Sequence, residues 1–155
     1  MAIYMKLPYA SGSVTAAKYE KWIDVDSLHF GVDRSVSMET SSLNNRGSGV
    51  PHFKQFAVTK GLDESSPLIL EALVNKKSGD VVEIAVVEAK DSPKEIVRYI
   101  LKDAIVASYT VAGSGDRPHE NLSFTYSEFE MAVTPRSTGN QGTATIRFSH
   151  NLKKD

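Results

Sequence analysis

The chain has 155 residues and a mass of 17.0 kDa, is 41% hydrophobic and 24% charged, sets 18 Lys+Arg against 19 Asp+Glu, and contains no cysteine. A chain of this size buries about two-thirds of its unfolded surface as one domain, so a single domain over residues 1–155 is expected. Without cysteine there is no disulfide framework, thiolate metal site, iron–sulfur cluster or cysteine nucleophile, and a net charge of −1 gives no global attraction to nucleic acid.

The opening Met1-Ala2-Ile3-Tyr4-Met5-Lys6-Leu7-Pro8 lacks the basic start and apolar run of a secretory signal. The more apolar stretches, 81–89 and 96–111, are broken by charges well short of the roughly 20 apolar residues of a membrane helix. Neither Sec export nor membrane insertion is expected.

Ile3, Met5 and Leu7 alternate with Tyr4 and Lys6, the period of a half-buried strand closed by Pro8. In 22–32 the apolar phase slips from Ile23 and Val25 to Leu28 and Phe30, which predicts a bulge near Asp26 and Ser27 and turns His29 away from the Leu28/Phe30 face. Residues 33–49 form a long Ser/Asn/Gly-rich loop, read as a contact arm. Strand character resumes over 53–60, with Phe56 and Val58 on one face and Gln55, Ala57 and Thr59 on the other.

One helix is predicted from Ser66, as cap, and Pro67 to about Asn75, with Ile69, Leu70, Leu73 and Val74 as its apolar stripe. Val82, Ile84 and Val86 alternate with Glu83 and Ala85 in the first strand of a hairpin whose turn is 91–94. The second strand carries Val97, Tyr99 and Leu101 on one face, continued on the same parity by Ile105, Tyr109 and Val111. A turn at 113–118 leads to Leu122, Phe124 and Tyr126; the phase then slips near Ser127 to Phe129, Met131 and Val133, leaving Glu128 and Glu130 outward. After a turn-rich loop at 135–142, Ala144, Ile146 and Phe148 form the last strand. The sum is a mainly β fold: a bulged antiparallel β-barrel of about eight strands with one flanking helix, closed or nearly so because bulges supply curvature.

Motifs for chemistry are missing. His29, His52, His119 and His150 have no paired metal-ligand spacing, and His119-Glu120 lacks the second histidine of a zincin, so neither a metal nor a cofactor is expected. The Gly-Ser-Gly segments at 47–49 and 113–115 are turns rather than phosphate loops, and Asn121-Leu122-Ser123 is a chance sequon at a strand start. Glu128 and Glu130 suit a solvated strand face better than an acid/base pair, and no enzyme is expected.

Three segments occur in order along the chain: 53–68, reading FKQFAVTKGLDESSPL, then 99–109, reading YILKDAIVASY, and 120–126, reading ENLSFTY, with Pro135 closing the following strand. Together they resemble the haemolysin-coregulated protein (Hcp) family, the tube subunits of bacterial type VI secretion systems. The resemblance covers nearly the whole chain and implies a small β-barrel that forms hexameric rings stacked into a hollow tube. Its implied partners are further copies of itself, a spike protein of the valine-glycine-repeat type, a contractile sheath, and effectors carried in the lumen. Implied localisation is the bacterial cytoplasm before firing, then export without a signal peptide. The corresponding family loop makes Met38, Leu43, Asn44 and Arg46 candidate anchors for the next subunit or ring, with Gly113, Ser114 and Asp116 a second candidate interface. The family's lumen-lining segment aligns with Ser27 and His29, which are therefore expected to face the channel. Ser149-His150-Asn151 departs from the family, which commonly has an aromatic and acidic pair there. The rival reading is a monomeric small-ligand or peptide-binding barrel, disfavoured because Phe30, Phe56, Tyr99, Phe124 and Phe148 are expected to fill the interior.

Overall fold

The computed structural model describes residues 1–36, 49–88, 94–135 and 144–154. Among them the strands are β1 (Ala2–Lys6), β2 (Ile23–Val25), β3 (Ser27–His29), β4 (Val32–Arg34), β5 (Pro51–Phe53), β6 (Phe56–Gly61), β7 (Asp80–Glu88), β8 (Lys94–Ala112), β9 (His119–Thr125), β10 (Glu128–Val133) and β11 (Ile146–Asn151). Among the described residues one α-helix, α1 (Ser66–Asn75), lies between β6 and β7, and a 3-10 turn, Leu152–Lys154, follows β11.

The main sheet runs β2-β1-β7-β8-β9-β6-β3, and β10 pairs with both β8 and β11. Every pairing is antiparallel. The 19-residue β8 serves two parts of the sheet: its first part lies between β7 and β10, and 105–112 pair with β9. β2 and β3, at the two ends of the path, are consecutive in the chain and separated by Asp26, whose N–H donates to the Thr59 carbonyl at 2.7 Å. The sheet therefore curls until its ends meet through a chain connection. The fold is mainly β, as expected, but its ladder does not close, and shorter strands raise the count above eight.

Inside the curl, Met5, Ile23, Phe56, Ile69, Ile84, Leu101 and Phe124 are fully buried. Burying each such side chain contributes about 1.5–3 kcal/mol. Phe129 joins them to an aromatic group, stacking on Phe30 with centroids 4.5 Å apart. A second cluster lies on the other side of β7, where Tyr19 and Trp22 cover Ala85 and Val87. Ala85, expected to face outward with Glu83, is thus buried because 10–22 folds back over the sheet.

The predicted slips at Asp26 and Ser127 both coincide with strand breaks. Parity is not preserved along β8. Asp103 adopts φ 53°, so Ala104 and Val106 turn inward in place of Ile105, and a further register shift between Val106 and Ser108 returns Tyr109 to the core side. Gly79 is required at this bend, since a Cβ there would overlap the Asp103 backbone.

Ser65, one residue before the expected Ser66, occupies the N-cap position but makes no side-chain capping bond, its hydroxyl donating to Asp63 instead, and the helix's apolar stripe is narrower than expected. Ile69 is buried and Leu73 packs on the core, whereas Leu70 and Val74 are exposed because the helix touches the sheet along one line only. Phe148, expected inside, is 54% exposed because, among the described residues, β11 is an edge strand paired only with β10.

Candidate functional surfaces

Met38, Leu43, Asn44 and Arg46 lie outside the described residues. The base of their loop is defined: β4 and β5 pair as a ribbon, Val32 opposite Phe53 and Arg34 opposite Pro51, so Asp33 and Arg34 belong to a strand rather than to the loop. Phe53 stacks on His150 at 5.0 Å and 7° and lies 6.0 Å from Phe129, while Tyr126 donates its hydroxyl to the Lys54 carbonyl at 2.7 Å. Aromatic contacts thus fasten the ribbon to the sheet, and the divergent His150 is one of the fasteners.

Gly113, Ser114 and Asp116 are exposed on the β8–β9 turn, where Gly115 takes φ 71°, a backbone conformation natural to glycine. The turn is tied to the β6–α1 connection: the Leu62 N–H donates to Pro118, and Arg117 Nε donates to the Leu62 carbonyl at 2.7 Å.

Beneath these connections lies a polar network that the sequence analysis missed. Lys60 is fully buried at the end of β6, and its Nζ reaches Glu120 Oε2 at 2.6 Å, Asp63 Oδ1 at 3.0 Å and Ser66 Oγ at 3.2 Å. Glu120, also fully buried, accepts a second bond from the Tyr109 hydroxyl at 2.7 Å. Burial pushes the Asp63 carboxyl up, but bonds from Ser65 and Lys60 outweigh it and hold Asp63 below its ordinary range. Burial, then the bond to Glu120, raises Tyr109 to about 12. A parity signal was available, because Lys60 follows Phe56 and Val58 while Glu120 precedes Leu122 and Phe124 on the same inward phase.

Ser27 and His29 are exposed, with Leu28 and Phe30 turned toward the core as expected. Register carries their face across four strands. One row reads Ser27, Thr59, Asn121, Thr110 and the next His29, Ala57, Ser123, Ser108. Thr59 donates to Asn121 at 2.8 Å, and the Ser108 and Ser123 hydroxyls are bonded to each other. No Lys, Arg, Asp or Glu stands in either row, although Asp26 and His119 approach to 3.4 Å at the rim. The outward face around the first half of β8 is the reverse: Arg98 pairs with Glu83 and Glu95, Lys102 with Glu128, and Arg147 with Glu130.

The hollow of about 300 Å³ beside Glu128, Glu130 and Asn151 is an open groove on the charged face. Another, of about 400 Å³, lies along α1 between Tyr9 and Leu68.

The family model described as "Type VI secretion system effector, Hcp" matches residues 4–133. No curated protein matches the sequence. Among solved structures, a type six secretion system protein superposes with TM-score 0.88 at 24% identity, covering 99% of this chain and 96% of that one. Hcp1 from Salmonella typhimurium superposes with TM-score 0.78 at 20% identity over 99% and 96% of the two chains. A type VI secretion system effector from Yersinia pestis gives 0.74 at 18% over 96% and 98%. With the sequence matched over most of its length, the chain belongs to the Hcp family of type VI secretion system effectors.

Proposed function

We propose that this protein is the subunit of a secretion tube. Six copies form a ring, rings stack into a hollow tube, and the tube is loaded in a contractile sheath behind a valine-glycine-repeat spike and expelled with effectors in its lumen. The observation that carries this reading is the family match over residues 4–133.

Two structural features support it. A head-to-tail ring needs complementary uncovered surfaces on one subunit. β11 offers one: its outer edge is unpaired among the described residues, and Ile146 and Phe148 stand 67% and 54% exposed beside it. Such an edge invites association unless a neighbour covers it. The second feature is the pinned ribbon β4–β5, which gives a rigid base to the loop holding Met38, Leu43, Asn44 and Arg46, the proposed reach to the next ring. The turn with Gly113, Ser114 and Asp116 is a second proposed contact, and Ser27 and His29 are proposed to face the lumen.

Replacing residues 35–49 with a short Gly/Ser turn tests the reading. Rings without stacks are expected in negative-stain electron micrographs, and undiminished tubes would reject the loop's role.

A further inference from the structure

A buried ion pair such as Lys60 and Glu120 is a poor filler of space, because each charge loses its hydration, and apolar side chains of similar volume commonly stabilise a fold as well or better. What the pair supplies that a methionine and a leucine would not is direction. The Lys60 ammonium donates to the Gly61 carbonyl at 3.0 Å as well as to Asp63, Ser66 and Glu120, so it holds the chain leaving β6 at three points. Asp63 in turn accepts from the Ser65 N–H at 2.9 Å and gives its own N–H to the Ser66 hydroxyl at 3.1 Å. Glu120 fixes the other side, two residues after Pro118, where its second oxygen takes the Tyr109 hydroxyl. Arg117 and Pro118 then bond the β8–β9 turn to Leu62.

Over this network solvent meets Leu62, Glu64, Val111 and the turn residues Gly113, Ser114 and Asp116, all exposed. Val111 stands opposite Glu120 in the β8–β9 ladder, on the parity of the inward Tyr109, at the end of the curled sheet. We propose that the Lys60–Glu120 pair is a positioning device: it holds the β6–α1 connection against the β8–β9 turn as one rigid surface, and that surface receives another copy of this chain, in the next ring of the tube. This rests on the tube reading above, in which the same turn is a contact between copies. Two uncovered apolar side chains, Leu62 and Val111, beside a polar turn suit burial against protein. A contact repeated around a ring requires every subunit to present the same surface. Directional bonds to a buried charge enforce one geometry where an apolar filling allows several.

The test compares wild type with Lys60→Met/Glu120→Leu by urea unfolding, by light scattering against concentration, and by amide exchange at Leu62, whose N–H bonds to Pro118. Expected are a urea midpoint close to wild type, Leu62 exchange about tenfold faster, and tubes only above about tenfold the wild-type concentration. Tubes at the wild-type concentration, or unchanged Leu62 exchange, overturn the inference. A second variant, Arg117→Ala, leaves the buried pair in place and does not depend on the double variant folding. Faster Leu62 exchange together with weaker stacking is expected of it. Unchanged stacking, or weaker stacking with Leu62 exchange unchanged, overturns the inference. Wild-type protein that forms no tubes at any concentration overturns the tube reading itself.

Discussion

Lys60 and Glu120 face each other across the β6–β9 ladder, 2.6 Å apart and both sealed from solvent. Their pairing joins the end of β6, the start of α1 through Asp63 and Ser66, and the end of β8 through Tyr109. Removing one partner strands a buried charge, so Lys60→Ala or Glu120→Ala should each cost about 3–5 kcal/mol in urea unfolding. Lys60→Met combined with Glu120→Leu should restore most of that loss. If the double variant is as unstable as either single one, the stranded-charge explanation fails.

Asp63 carries the acid side of the same network. Its folded pKa lies below the unfolded value, so its contribution is present above the ordinary carboxylate range and is lost as pH falls through the folded value. Asp63→Asn should lower stability at neutral pH and flatten the acid limb of stability against pH. A variant that keeps the wild-type acid limb would contradict the assignment.

On the alkaline side, Tyr9, Tyr19, Tyr109 and Tyr126 are each raised to about 12, chiefly by burial. A raised pKa in the fold means stability that is complete below the unfolded value and declines as pH climbs from about 10 to about 12. Ultraviolet titration of tyrosinate should show most of the six tyrosines ionising late and together with unfolding. Full ionisation near pH 10 in the folded protein would refute it.

Much of the fold was legible because period-two alternation marks strands, and a phase slip marks the place where an extra residue intrudes. Asp26 and Ser127 were found that way. What escaped depends on contacts distant in sequence. Asp103 reverses the parity of β8 through a backbone angle tied to close packing against Gly79, and no side-chain pattern announces it. Ala85 looked outward until 10–22 folded over it. Lys60 escaped notice although its parity with Phe56 and Val58 placed it inside, a position lysine seldom takes. The proposed assembly residues within 37–48 and the proposed channel-facing Ser27 and His29 came from family likeness rather than from periodicity, and register adds that Ser27 and His29 stand in rows without Lys, Arg, Asp or Glu.

The interface proposed at the β11 edge gives folding and assembly different expected responses to mutation. Phe129 is buried and stacked on Phe30, so Phe129→Ala should destabilise the subunit by about 3–5 kcal/mol. Phe148 is mostly exposed, so Phe148→Asp should alter subunit stability by no more than about 1 kcal/mol while abolishing ring formation. Equal effects of the two variants on subunit stability would remove β11 from the proposed interface.

The most direct test of the tube account is the mass of the purified protein by light scattering after size exclusion, over a range of concentrations. Six copies of 17.0 kDa, about 102 kDa, with annular particles in the same peak, are predicted. A 17.0 kDa monomer at every concentration would contradict it.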